Sequence, residues 1–303
     1  MAVYVVGEYL REMRTRRGYS QEAVSYNICT PATLSRIENG LQNPSKRMLD
    51  KLLERLGVET EIFDVFASEE ERSVEMLLKG MAHSIADSDF TKLEKYITLL
   101  EKENQKKMVN EKQNLLWAKS VFLAKNGYPA KDVKDMLLEA IHMTLPLFDG
   151  ETPIRNNLLT FDEIMIINGI AIQYARQEYY LKALKLGYWL KEYMEEKIEN
   201  GTSKNEKYPT IVYNISNWLG KLGRYEEALE ATEDGINYCI RNGNLLRLAQ
   251  LLFNKACALA ELNKSVEAKS FFTQSITLFE VTKQYDKAQK AIEWCNGKYN
   301  INV

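Results

Sequence analysis

The side chains best placed to do chemistry are polar groups on helical faces, not a catalytic set. Between Thr30 and Gly40, Leu34 and Ile37 recur at helical spacing and turn inward, which leaves Thr33, Ser35, Arg36 and Asn39 on outward or flanking faces. An arginine held that way can give two hydrogen bonds to one planar edge, such as guanine O6 and N7, and Arg36 is the strongest candidate for that role. Asparagine offers a second chemistry, because its amide carries both a donor and an acceptor and so matches a peptide unit. Asn214, Asn217 and Asn254 stand in helical segments later in the chain. Catalysis is not expected. His83 and His142 have no nucleophile near them in sequence, and His142 in AIHMTLP reads as a helix-end residue. Acidic pairs such as Glu69–Glu71 and Glu195–Glu196 read as solvated charge, and no GxSxG, Walker, GxGxxG or HExxH pattern occurs. Cys29, Cys239, Cys257 and Cys295 are far apart and form no CxxC pair, so free buried thiols are expected, with neither metal nor cofactor.

The elements that must position Arg36 are legible in Tyr19–Ser45. Ser20 is an N-cap candidate, and Gln21-Glu22 open a short helix that must stop by Ile28-Cys29. Thr30 caps a second short helix with Pro31 in its first turn, where a missing N–H costs nothing. Gly40 stops that helix, and Asn43-Pro44-Ser45 turns the chain into a further helix from Lys46. Before them, Val5 to Arg17 reads as a basic helix with Val6, Tyr9, Leu10 and Met13 on one face. After them, Met48, Leu49, Leu52, Leu53 and Leu56 form a core stripe ended by Gly57. Val58–Phe66 is expected to add a fifth short helix. Two short helices about a tight turn make a helix-turn-helix, whose second helix lies in the DNA major groove.

The order SQE, then LSRIENG, then NPS resembles the repressor-type helix-turn-helix family. The segment YNICTPATLSRIENG resembles most the amino-terminal domain of peptide-responsive regulators of Gram-positive bacteria, the RRNPP group (PlcR-like). That resemblance covers about the first fifth of the chain. It implies that Arg14 pairs with Glu38, tying the first helix to the reading helix. It implies that Ala32, Thr33 and Arg36 face base edges, with Pro31 and Ala32 offering apolar contact. Gln21 and Asn39 match phosphate-contacting positions. Lys46 and Arg47 lie in the first turn of the next helix, where backbone N–H groups and the helix dipole also favour a phosphate. The resemblance further implies a cytoplasmic homodimer that binds operator DNA and a short secreted signalling peptide.

Composition bounds these expectations. At 303 residues the chain has room for two domains or a repeat array. A net charge of −2 argues against binding nucleic acid over the whole surface, so a DNA role needs a local basic patch. The apolar run in MAVYVVGEYL is too short for a signal peptide, and no stretch approaches membrane-spanning length.

From Val74 onward the pattern is helical throughout, and an all-α fold is expected. The reading is a helix-turn-helix domain over 1–66, a linker at 67–73 and helical repeats over 74–303. The stretch 67–73 could equally be the charged first turn of a long helix. Tyr213–Leu219 followed by Gly223-Arg224-Tyr225-Glu226-Glu227-Ala228-Leu229 resembles a tetratricopeptide (TPR) repeat. Weaker copies place Ala183 and Ala268 beside Ala228, at wider spacing than the TPR period, which leaves HEAT-like pairs possible. About five helix pairs are expected, the first over 72–104, with a closing helix from about Asp286. All prolines beyond Pro44 are expected at helix boundaries. TPR-like pairs stack into a right-handed α-superhelix with a groove suited to an extended peptide. By their match to TPR first helices, Asn214, Asn217, Asn254 and Lys221 face that groove. Gln173, Arg176 and Gln250 join them in a less certain register. A protein partner would use a groove of the same shape; alternatively, the repeats serve mainly for dimerisation.

Overall fold

The structure, a computed structural model, describes residues 2–58, 69–86, 89–102, 109–154 and 157–303. No strand occurs among the described residues. The chain opens with α1 (Ala2–Arg16), α2 (Gln21–Ser25), α3 (Pro31–Glu38) and α4 (Lys46–Arg55). Each start after α1 is set by a hydroxyl that satisfies an orphan N–H. Ser20 Oγ accepts from Ala23 N at 3.1 Å, Thr30 Oγ1 from Thr33 N at 3.1 Å, and Ser45 Oγ from Met48 N at 3.3 Å. Gly40 ends the α3 turn at φ 69°, a conformation cheap for glycine. Leu10, Val24, Leu34, Ile37, Leu49, Leu52 and Leu53 are buried together as the core of this module. Gly7 is essential to it, because a Cβ there would lie 2.1 Å from the carbonyl oxygen of Ile37. The fifth helix expected at 58–66 lies outside the described residues apart from Val58, as do Ala67 and Ser68 of the expected linker. Residues 69–73 belong to α5.

Among the described residues eleven helices follow: α5 (Glu69–Ala86), α6 (Phe90–Lys102), α7 (Val109–Lys125), α8 (Ala130–His142), α9 (Phe161–Arg176), α10 (Tyr180–Lys197), α11 (Thr202–Lys221), α12 (Tyr225–Asn242), α13 (Leu245–Glu261), α14 (Ser265–Val281) and α15 (Tyr285–Tyr299). In sequence they fall into pairs with α15 as the closing helix, as the breaks foretold. Several junctions share one device, a single left-handed residue after the first helix: Gly127, Glu178, Gly223, Asn263 and Lys283 all have positive φ. The small residues read as close-packing positions, Ala183, Ala228 and Ala268, are buried.

Packing divides the chain into two compact units, Met1–Gln173 with Lys197–Glu199, and Tyr174–Glu196 with Asn200–Val303. In the first unit α5 packs on α6, α7 on both, and α8 on α7, in the same unit as the helix-turn-helix. In the second, α11 to α15 pack in succession, and α13 also reaches back to α11.

One expectation about breaks is corrected. Pro209 lies inside α11, not at a boundary. Its missing N–H leaves the Asn205 carbonyl without a helical partner, and Asn244 Nδ2 donates to that oxygen at 2.7 Å. The neighbouring element thus satisfies the group that proline orphans, and the helix runs on.

Candidate nucleic-acid interface and ligand cavity

Helix α3 is held by a buried carboxylate. Glu38 is almost fully buried and accepts from Arg14 Nε at 2.6 Å, Arg14 Nη2 at 2.8 Å and Gln21 Nε2 at 2.7 Å. Arg14 Nη1 also donates to the Tyr19 carbonyl at 3.0 Å. One anion therefore ties α1, α2 and α3 together, with bidentate geometry that fixes orientation. The other face of α3 is open. Pro31, Ala32, Arg36 and Asn39 are exposed and Thr33 is half-buried beside its cap, its hydroxyl 2.8 Å from that of Thr30. The Arg36 side chain makes no hydrogen bond or ion pair among the described residues, so its guanidinium is available to a ligand. Arg11 donates to Asn39 Oδ1 and so adds a second guanidinium at the far end of α3. Sequence reasoning did not single out Arg11. The signal was its position one turn before Arg14 on the same face of α1.

The remaining residues expected at phosphates are engaged with carboxylates of the protein. Gln21 donates to Glu38, as above. Lys46 Nζ pairs with Asp50 at 2.5 Å, and the Arg47 guanidinium pairs with Glu111 of α7. Arg47 begins a row of cations along α4 that dock on the first repeats. Lys51 Nζ lies 2.5 Å from Asp162 Oδ2 and 2.9 Å from Glu54 Oε2, and Asn114 Nδ2 donates to Asp162 at 3.0 Å. Burial alone would lower the Lys51 pKa, but the Asp162 and Glu54 carboxylates more than reverse this and hold the ammonium above its usual range. Arg55 donates to the Leu158 carbonyl at 2.7 Å and pairs with buried Glu163 at 3.3 Å. Asn27, in the turn of the helix-turn-helix at φ 56°, donates to the Thr144 carbonyl at 2.8 Å. From α1, Arg17 donates to the Lys197 carbonyl at 2.8 Å and to Glu199 at 2.6 Å. A cavity of about 240 Å³ beside α4 is walled in part by the opposite charges of Arg47, Lys51, Glu54, Glu111 and Asp162.

In the second unit a cavity of about 350 Å³ opens between α11, α13, α14 and α15. Its walls are mainly aromatic, from Tyr213, Phe253, Phe279 and Trp294, with Gln250, Lys287 and Lys290 as the polar groups. Of the residues expected in a peptide groove, Gln250 lines this cavity. Asn254 instead donates to Ser216 Oγ at 2.8 Å, which clamps α13 to α11. Asn214 is buried, whereas Asn217 is half-buried with no hydrogen-bond partner among the described residues, and Lys221 is exposed. Arg176 is exposed in the second unit, and Gln173 is buried in the first. His142 caps the loop after α8, its Nε2 2.8 Å from the Phe148 carbonyl. Burial pushes the thiols of Cys239 and Cys257 up to about 12, so they are poor nucleophiles.

Comparison with known families gives two matches that tile this architecture. Residues 10–63 match the helix-turn-helix family, and residues 80–296, more than half of the chain, match the RNPP family C-terminal domain. The chain belongs to the RNPP family. The RNPP family is one of DNA-binding regulators. Bacillus thuringiensis PlcR, solved in complex with the peptide PapR7 and DNA, superposes with a TM-score of 0.66 at 19% identity, over 95% of this chain and 99% of that one. PlcR in its apo form gives 0.61 at 17% identity, over 95% and 98%. ComR from S. thermophilus, solved with DNA and its signalling peptide ComS, gives 0.51 at 15% identity, over 94% and 97%. No curated protein sequence matches the chain. Among the described residues of this RNPP-family chain, no helix is long and apolar enough to cross a membrane.

Proposed function

We propose that the chain is a cytoplasmic transcriptional regulator with no catalytic step. In this reading it binds operator DNA as a homodimer through α3, and a short signalling peptide bound by its repeats alters that binding. The observation that carries it is the RNPP C-terminal match over 80–296 behind a helix-turn-helix whose α3 face is open. PlcR and ComR, each solved with both a peptide and DNA, support the same pairing of ligands. Residues 1–66 serve as the reader and 74–303 as the sensor.

Arg36 reads a base through two hydrogen bonds, and Pro31, Ala32 and Thr33 contact the neighbouring edges. Asn39, beside Arg11, lies against the phosphate backbone. Arg47 holds α4 to α7, so it is not available to a phosphate while its pair with Glu111 is formed. Two copies are needed because two-fold pairing sets two reading helices about one helical turn of DNA apart. Peptide changes DNA affinity only by its differential affinity for the two arrangements of the dimer.

Selection of random-sequence duplexes on the full-length protein tests this reading. A two-fold-symmetric site is expected, with an affinity that shifts when a pool of short random peptides is added. Retention of every duplex equally, with and without peptide, would overturn it.

A further inference from the structure

The cavity of the second unit is lined by positive charge that no carboxylate among the described residues answers. Lys287 and Lys290 stand on its α15 wall, and Arg247, itself outside the lining, donates to Oε1 of the lining residue Gln250. None of the three forms an ion pair among the described residues. Among the described residues, their side-chain acceptors are neutral amides: Gln250 for Arg247, and Gln284 Oε1 for Lys287 at 2.6 Å. Burial, then the nearby Arg247 charge, holds the Lys287 ammonium below its usual range. Burial likewise lowers Arg247. Like charges brought together at a partly apolar surface cost free energy in the empty protein, and an anion relieves that cost. Next to them, Trp294 is 46% exposed on the cavity rim, and Phe253 and Phe279 form its floor. The volume, about 350 Å³, lies in the range of small-ligand sites and fits one or two side chains of a peptide.

We propose that this cavity is an anchor for a carboxylate-bearing peptide end or side chain, with Lys287 and Lys290 pairing the carboxylate, the Arg247 charge adding to the positive field through Gln250, and Trp294, Phe253 and Phe279 receiving an adjacent apolar or aromatic side chain. The assignment rests on the peptide-sensing reading and adds to it the place and chemistry of recognition. The carboxylate comes either from the peptide's C-terminus or from an Asp or Glu side chain.

The test uses the full-length chain, immobilised, and two pools of short random-sequence peptides. One pool has free C-termini and all residue types; the other is C-terminally amidated and lacks Asp and Glu. Retention from the first pool alone is expected. Retained peptides are then made in matched forms, acid against amide and Asp or Glu against Asn or Gln, and titrated by calorimetry. Removing the decisive carboxylate weakens binding about tenfold or more, and whichever form loses affinity identifies its source. Lys287→Gln with Lys290→Gln produces the same loss for the carboxylate form and none for the neutral form. Lys287→Arg, which keeps the charge, retains the tight binding and shows that the loss is not one of folding. Equal retention of the amidated pool, or unchanged binding by the double variant, overturns the anchor while leaving peptide sensing intact. Retention of neither pool overturns both.

Discussion

The two charged cavities of this protein are built from the same residue types to opposite ends. Beside α4, Arg47, Lys51 and Arg55 each meet a carboxylate, Glu111, Asp162 and Glu163 respectively. In the second unit, Arg247, Lys287 and Lys290 meet none among the described residues. A desolvated cation with its counter-ion is a fastener, whose cost was met when the chain folded. A desolvated cation without one keeps part of that cost until something binds. The first cluster therefore fixes the helix-turn-helix on the first repeats, and the second is left open for a ligand.

The sharpest way to break this comparison is to remove one partner from each cluster and measure urea unfolding of the full chain. Glu163→Ala strands the buried Arg55 guanidinium and is expected to cost about 3–5 kcal/mol, much of it recovered when Arg55→Met is added. A loss within error of zero would mean that α4 is not clamped by this pair. Next in size is Gly7→Ala, whose Cβ meets backbone that no rotamer can move aside. About 1–3 kcal/mol is expected, with loss of DNA binding in parallel, because α3 is pushed off α1. Arg36→Ala touches neither cluster and should leave the unfolding midpoint alone. It is expected to cost about 1–3 kcal/mol at one base pair in a binding-site selection, and uniform weakening on all sequences would instead assign Arg36 to phosphate. Smallest is Lys287→Gln, which relieves repulsion and strands nothing, so stability should move by less than about 0.5 kcal/mol. A loss as large as that of Glu163→Ala would make the second cluster a fastener too.

Much of the fold was readable from local signals. Ser20 and Thr30 cap the helices they were expected to cap, and the left-handed turns at Gly223 and Asn263 fall where the helical pattern breaks. Pro209 was misread because a proline's cost depends on whether its orphaned carbonyl finds a donor, and that donor, Asn244, lies on another helix. Gly7 escaped notice because a glycine in a helix looks like a weak spot until the opposing backbone is seen.

The site residues show the same division. Arg36 could be placed outward because Leu34 and Ile37 face inward within the same two turns, and a short helix carries that information itself. By contrast, the fates of Arg47 and Lys287 could not be read locally. The partners of Arg47 and Arg55 lie 64 and 108 residues away, and those of Lys287 are defined by which carboxylates fail to arrive. Capping, periodicity and turn chemistry act over a few residues, so the amino-acid sequence alone determined the helices, their pairing in order and the outward face of α3. Whether a charge is answered depends on what the chain brings to it from a distance, and only the tertiary structure decided that.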